Sequence, residues 1–597
     1  MKKETRGIDL TKFYKKVEDI SQTMYEENYL LPNETVSELY KRIATDFSKN
    51  EEHKQRLIHY LHCQWMHTST PATTNAGMTR GLPISCYVSK IPDSRKGIFE
   101  GYVEGMWLGA EGGGRGVDWS NVRGSGAIIG DGAKGTSSGV IPFLGVSDRQ
   151  TFAVSQAGVR RSSETAYLHI SHPDIKAHLD LKLPTGDKNR RTPNLHIGVI
   201  IPDAFMETML DRKPWNLICP HTKEIVETVD AYDLWCDVLE ARIKAKGEPD
   251  IMFIDNANKD LPEAYRLSNR EVKNTNICTE IFQYNDDFET SVCCLASINM
   301  ENYDEFKPYF RQLVADISDM LDEVHNVFQR KTKQRKDFKK ARLSSVMERN
   351  IGIGVMGFHS YLQKKNIPFE SAMAVGINKD FFSKLREYSE EHQAMLPKSE
   401  NCELANSIGI LRRNILCIAI APTMSISVLC GVTSSGIEPL LANSFVKKTN
   451  NVNFTLRNKY LDAKMEEHYR FKLKEQAMFS KDKWKEEQWA IINSSEGSVR
   501  DLDWLSDWDK EVFKTAYEID QNWLLQHAAD RQPSIDQGQS LNLFMYSPVN
   551  WRDLYNLHLN AWKLGLKSLY YLRSTAPERA RTTKVKELGE DDCVGCG

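Results

Sequence analysis

Apolar residues follow two rhythms along the chain, and the rhythm changes near residue 70. Before that point Leu10, Phe13, Tyr14, Val17, Ile20 and Met24 recur three or four residues apart, the spacing of one helix face. NETVSELYKRIATDF (33–47) continues in the same register, with Asn33 as its expected N-cap. Later, short apolar runs take over: LHIGVIIP (195–202), DIMFID (250–255), ILCIAIAP (415–422), LNLFMY (541–546) and SLYYLRS (568–574). Runs so short and so continuously apolar read as buried strands. Between two of them Phe310, Leu313, Val314, Ile317, Met320, Leu321, Val324 and Phe328 form a helical stripe. Strands alternating with helices predict an α/β protein built from crossover units. The expected division is a helical segment over 1–68, an α/β domain over 69–577 and a charged tail over 578–597. Within the domain, residues 455–530 are charged, Trp-rich and helical in pattern, and read as an insertion or lid.

Glycine adds a second signal. Eleven of the 31 residues from Gly109 to Gly139 are glycine. Such a backbone must turn tightly or let another segment approach closely. GAEGGGRGV and GDGAKGTSSG do not match the phosphate-loop pattern G-x-x-x-x-G-K-[ST], so tight loops are the preferred reading. Composition mainly excludes. A net charge of −3 without a long basic run argues against nucleic acid. No apolar run reaches the roughly 18 residues that span a bilayer. MKKETRGIDL lacks the apolar core of a signal peptide. A cytoplasmic chain is expected, with its 12 cysteines reduced. Several, such as Cys236 and Cys417, lie in apolar runs and read as core, and Cys86, Cys278, Cys293, Cys294, Cys593 and Cys596 remain to be explained.

Three stretches hold candidate chemistry. In NTNICTEIF, Asn276, Cys278 and Glu280 alternate, so an extended segment would turn all three to one face. An amide, a thiol and a carboxylate are poor core material but can hold a hydroxyl, react and take a proton. APTMSIS follows an apolar run and sets Thr423, Ser425 and Ser427 where a loop would enter a helix, as an anion site or an ordinary cap. SLYYLRS carries adjacent Tyr570 and Tyr571, which on a regular strand would face opposite sides. Zinc is disfavoured, because the only C-x-x-C pair is the terminal Cys593 and Cys596.

Taken in order, STPA, ISCYV, NICTE, CCLASIN, PTMSIS with GIEP, QSLNLF, LYYLR and the terminal cysteine pair resemble the class I ribonucleotide reductase large subunit. The resemblance runs from about Thr70 to the C-terminus. It implies a ten-stranded α/β barrel of two five-stranded halves, with a finger loop through its centre. It implies that Cys278 becomes a thiyl radical, that Glu280 takes the 3′-hydroxyl proton and that Asn276 holds the sugar hydroxyls. Cys86 and Cys293 would be the reducing dithiol, although Cys294, at a position usually Asn, leaves open which thiol pairs with Cys86. Thr70, Ser85, Thr423, Ser425, Ile426 and Ser427 would hold the substrate diphosphate. Asp93 and Arg123, with Gln156 and Arg160 of QAGVRR, would read the effectors ATP, dATP, dTTP and dGTP. Tyr570 and Tyr571 would carry the radical from a separate dimetal small subunit, with no cofactor bound in this chain. Cys593 and Cys596 would pass electrons from thioredoxin or glutaredoxin. A homodimer is implied. The first 60 residues lack the KRDG-like opening of an ATP-cone, so no site for overall activity control is expected in this chain, and whether the partner carries one stays open. The alternatives are a class II, adenosylcobalamin-dependent reductase, against which the tyrosine pair argues, and an inactive nucleotide-binding homologue, which would not need three cysteines and Glu280.

Overall fold

The computed structural model describes residues 10–130, 135–155, 162–449, 452–473 and 480–575. The N-terminal apolar repeat breaks into a 3-10 turn, Leu10–Phe13, and helix α1, Asp19–Asn28. Helices α2 (Val36–Asp46) and α3 (Glu51–His62) follow. The N-cap of α2 is Thr35, not Asn33. The Thr35 hydroxyl accepts the Glu38 N–H while the Glu38 carboxylate accepts the Thr35 N–H, a reciprocal capping box. Asn33 lies upstream in a left-handed turn, at φ 64°.

Strands of the main sheet are β1 (Met66–Thr68), β2 (Cys86–Lys90), β3 (Gly114–Asp118), β4 (Ser163–His169), β5 (His196–Ile201), β6 (Asp250–Phe253), β7 (Ser291–Asn299) and β8 (Ile351–Met356). Toward the C-terminus come β9 (Leu543–Met545), β10 (Ser568–Leu569) and β11 (Leu572–Ser574). The nine-stranded sheet runs β1-β7-β2-β3-β4-β5-β6-β10, with β8 also on β7. Five strands, β2 to β6, are parallel neighbours. Antiparallel pairs flank them, β7 against β2 and β10 against β6. From β7 the order continues parallel to β8, and the stripe predicted over 310–328 is the 23-residue helix α4 (Phe310–Thr332) that crosses between them.

Three predicted strands, LHIGVIIP, DIMFID and LNLFMY, appear as β5, β6 and β9. ILCIAIAP is extended and buried but forms only isolated bridges, Ile353 to Ile418 and Ile420 to Gln539. The Asp536 carboxylate takes the Cys417 and Ile418 N–H groups that a neighbouring strand would otherwise take. SLYYLRS is split into β10 and β11, with both tyrosines in the break. Cys417 is buried as expected, whereas Cys236 is only half-buried.

In the insertion, Lys459–His468, Lys481–Ser494 and Asp507–Val512 are helical and pack around Leu461, Met465, Trp489 and Phe513, a cluster separate from the main core. The helix Gln521–Arg531 instead joins the main core through Leu524, Leu525 and Ala528. No helix among the described residues is long and apolar enough to cross a membrane.

Candidate active site

Glycines build the floor of the site. A Cβ on Gly116 of β3 would stand 1.8 Å from the Thr275 carbonyl oxygen, and one on Gly114 would stand 2.5 Å from Ile277 Cδ1. Gly198 of β5 leaves room for the Tyr167 ring, which a Cβ there would meet at 2.3 Å. The Tyr167 hydroxyl then donates to the Asn276 carbonyl at 2.8 Å. The glycine-rich stretch therefore does more than turn: part of it is a strand shaved to admit the loop 274–282.

That loop is not extended, so the alternation expected for Asn276, Cys278 and Glu280 does not hold. Thr279 sits in a left-handed conformation at φ 61°. The Asn276 side-chain oxygen accepts the Glu280 and Ile281 N–H groups at 3.0 and 3.1 Å, which closes a turn around Cys278. Neighbouring segments fix the turn. Ser540 Oγ donates to the Cys278 carbonyl, with the Glu280 carboxylate 3.2 Å from the same hydroxyl, and Ser568 Oγ donates to the Thr279 carbonyl at 2.8 Å. The Gly538 N–H donates to the Glu280 carbonyl at 2.8 Å. Cys278 and Glu280 are each 1% exposed and Asn276 is fully buried, so the loop tip is shut off from bulk water.

Two thiols face each other beside it. Cys86 and Cys293 are direct partners in the β2–β7 register. The Asn276 side-chain amide reaches Cys86 Sγ at 3.5 Å. Both cysteines pack with Val88, Ile281, Leu295, Ala419 and Ala421. Cys294 points to the other face of β7, into the main core. Burial, with the neighbouring Cys294, Cys86 and Glu280, pushes the Cys293 thiol well above its ordinary range. At neutral pH it holds its proton and can give it to a leaving group.

Cys278 also packs against Ile277, Tyr570 and Tyr571. The two tyrosines do not face opposite sides. The strand breaks at them, and their rings stack with centroids 3.9 Å apart at 30°. The Tyr571 N–H donates to Asn542 Oδ1 at 3.1 Å, and Asn542 in turn donates to the buried Glu438 carboxylate. Burial, then the neighbouring Tyr571 and Asp250, pushes the Tyr570 hydroxyl well above the ordinary phenol range.

The segment APTMSIS leaves the same interior through Ala421. Thr423 adopts φ 53°, its hydroxyl accepts the Gly436 N–H at 2.7 Å, and its carbonyl accepts the Ser427 N–H at 3.0 Å. Ser425 stands at the N-cap position of a single helical turn, Ile426–Leu429, without a side-chain capping bond, and the Ser427 and Ser435 hydroxyls meet at 3.0 Å. A cavity of about 330 Å³ opens beside this loop, lined in part by Met424, Ser427, Ser435, Glu438 and Asn542. Ser85 precedes Cys86 and meets the Ser69 hydroxyl at 3.5 Å; Thr70 follows Ser69 and meets the Tyr29 hydroxyl at 3.3 Å. Apart from this interior, Arg123 Nη2 holds the Asp93 carboxylate at 2.9 Å, and His221 Nδ1 lies 3.3 Å from the same oxygen. Gln156, Arg160, Cys593 and Cys596 lie outside the described residues.

QSLNLF and GIEP carried no residue-level signal for Ser540, Asn542 or Glu438, yet Ser540 holds the loop, Asn542 holds the Tyr571 N–H and Glu438 holds Asn542. His196 and Glu248, beside Tyr571, had no local signal at all.

A family model described as ribonucleotide reductase, barrel domain, matches residues 84–405 and 409–572. The putative ribonucleoside-diphosphate reductase large subunit of Frog virus 3 (isolate Goorha) is 36% identical over 563 residues, 94% of this chain and 95% of that one. The ribonucleoside-diphosphate reductase large subunit of Invertebrate iridescent virus 3 is 32% identical, over 96% of each chain. Among solved structures, the Actinobacillus ureae class Id ribonucleotide reductase alpha subunit superposes with a TM-score of 0.81 at 30% identity, over 94% of this chain and 97% of that one.

Proposed function

The chain belongs to the ribonucleotide reductase family as a class I large subunit, and from that premise we propose how its own residues carry the reaction. It is the catalytic subunit of a ribonucleoside-diphosphate reductase, an oxidoreductase of deoxyribonucleotide synthesis. The observation that carries the finer reading is the placement of one loop. Cys278 packs on the stacked tyrosines, while Asn276 of the same loop reaches the sulfur of a thiol pair.

A radical that arrives through Tyr571 and Tyr570 takes the hydrogen of the reduced Cys278 thiol. The resulting thiyl radical removes the 3′ hydrogen of the ribose, and Glu280 takes the 3′-hydroxyl proton. The 2′-hydroxyl is a poor leaving group, so it departs as water only with a proton from the dithiol. Cys86 and Cys293 supply two electrons, carbon 2′ gains a hydrogen, and one disulfide forms. Glu280 then returns its proton to the 3′ oxygen, and Cys278 its hydrogen to carbon 3′. Burial keeps water from these radicals. Asn276 holds the sugar, and Thr70, Ser85 and the Thr423–Ser427 loop hold the diphosphate.

The scaffold reads as a closed ten-stranded barrel. Its second half runs from β7 and β8 through the bridges at Ile418 and Gln539 to the C-terminal strands, with β10 paired to β6. Asp93 and Arg123, with Gln156 and Arg160, form the nucleoside triphosphate effector site. Two copies form a dimer, and a dimetal small subunit supplies the radical. Cys593 and Cys596 carry electrons from thioredoxin or glutaredoxin to the buried disulfide by thiol exchange, in the cytoplasm.

The test is Cys278→Ser. It should bind diphosphate substrate as the parent does and form no deoxynucleotide with the small subunit present, because an alcohol O–H bond is too strong to regenerate the radical. Measurable turnover would refute the radical role of Cys278.

A further inference from the structure

Besides Tyr570, the Tyr571 hydroxyl has a second polar neighbour, Nδ1 of His196 at 3.2 Å. The same nitrogen lies 2.8 Å from Glu248 Oε1. His196 opens β5 and Glu248 stands two residues before β6, on adjacent parallel strands. The Leu572 N–H donates to the Gly247 carbonyl at 3.1 Å, which fastens the tyrosine segment to the same edge. The three side chains are therefore set by three separate backbone segments.

Glu248 is 4% exposed. Burial raises its carboxyl, but His196, Lys182 and the Ile197 N–H outweigh burial and hold it below the ordinary range. It is an anion at neutral pH, so the short contact is an Nδ1–H donated to a carboxylate. Tyr571 is the opposite case. Burial, then Glu248 and Asp250, raises its hydroxyl well above the ordinary phenol range, so it meets an oxidant as a neutral phenol. Removing only the electron would leave a strongly acidic radical cation inside a low-dielectric site, so a proton must leave with it. The His196 side chain is 23% exposed against 5% for Glu248, which makes it the outward end of the trio.

We propose that His196 and Glu248 are the proton acceptor for the oxidation of Tyr571. The electron of Tyr571 goes to the oxidised residue of the small subunit. Nδ1 first hands its proton to Glu248 Oε1, and the lone pair this frees then takes the Tyr571 hydroxyl proton. The products are a neutral tyrosyl radical, a His196 ring with as many protons as before and a protonated carboxyl. The radical then takes a hydrogen atom from the stacked Tyr570. When the radical returns, the electron comes back from the small subunit, the proton returns from Glu248 through His196, and the charges are restored.

This inference rests on the radical route proposed above, and the experiment separates the two. His196→Gly, assayed with the small subunit and a ribonucleoside diphosphate, should lose about a hundredfold in kcat, the lower range for a positioned proton acceptor. Substrate KM and affinity for the small subunit should stay at parent values. Added imidazole should restore part of kcat, since the position is open to solvent. His196→Asn, which can hold the hydroxyl in place but cannot relay a proton, should stay slow, as should Glu248→Gln. Parent kcat in His196→Gly, a slow His196→Gly that ignores imidazole, or a fully active His196→Asn would each overturn the relay. Tyr571→Phe is run beside them. If it is inactive while His196→Gly is unaffected, the route stands and the relay falls; if it is fully active, the route itself fails.

Discussion

The choice between Cys293 and Cys294 turns on a single residue of register. Directly opposed residues of an antiparallel pair point to the same face, with Cβ atoms roughly 4.5–5.5 Å apart. A disulfide needs roughly 3.5–4.5 Å, so Cys86 and Cys293 require only a small approach. Cys294, one residue on, faces the main core near Asp322 and Arg349. Burial, then Asp322, pushes its thiol well above the ordinary range. Two adjacent cysteines look alike in a sequence, because pairing register is set by another strand far along the chain. Cys86→Ser and Cys293→Ser should each end deoxynucleotide formation. Cys294→Ser should retain it within a few-fold and lose stability of about 1–2 kcal/mol for a buried hydroxyl. Mapping thiols by mass spectrometry after one turnover without external reductant, in a chain carrying Cys593→Ser and Cys596→Ser so that the tail cannot exchange, checks the assignment. A Cys86–Cys294 disulfide would reverse it.

At the scale of elements, the sequence was most legible where one segment sufficed. The helix Phe310–Thr332 and the strands His196–Ile201 and Asp250–Phe253 follow from their own apolar pattern. The loop of Asn276, Cys278 and Glu280 did not, because its shape is imposed by Tyr167, Gly538, Ser540 and Ser568, all distant in sequence. The same holds for Tyr570 and Tyr571, which stack only because the strand breaks between Leu569 and Leu572. The glycines gave a true but incomplete signal: close approach was legible, while the segment that approaches was not. This gives a test of the floor. In Gly116→Ala the new methyl would stand 1.8 Å from the Thr275 carbonyl, a backbone atom that cannot swing aside as a side chain would. The base of the loop must move, at a cost of about 1–3 kcal/mol. Activity should fall by at least about tenfold, since small misplacements of reacting groups cost heavily. The far-UV circular dichroism of the variant should match the parent. Unchanged kcat would show that the loop does not depend on this floor.

Across the whole molecule, the helices of residues 19–62 and the strands share one apolar core, so the N-terminal segment is packed into the body it precedes. The change of rhythm near residue 70 was legible in the sequence; the polar contacts that join the two parts were not. Arg56 and Tyr60 of α3 both bond the buried Asp316 of α4, at 2.7 and 2.8 Å. His67 of β1 is fully enclosed, its Nδ1 donating to the Thr68 carbonyl at 2.9 Å and its Nε2 meeting the Tyr25 hydroxyl of α1 at 3.0 Å. Burial pulls the His67 imidazole down to about 4, so the fold holds it neutral. In the unfolded chain a histidine binds its proton near pH 6.5. The unfolded state therefore gains protons that the folded state refuses. The stabilisation is complete above about pH 6.5 and is lost as pH falls from there toward 4. At pH 5 this loss is about 2 kcal/mol, or about 1–2 °C in Tm for a chain of this length. His67→Gln keeps a donor and an acceptor but cannot take the proton. It should melt below the parent at pH 8, yet its Tm should fall by about 1–2 °C less than the parent's between pH 7.5 and pH 5. Other buried histidines, such as His178 and His325, contribute equally to both proteins and cancel in the difference. Calorimetry of the two proteins across that range decides it, and parallel curves would mean that His67 does not couple acid to unfolding.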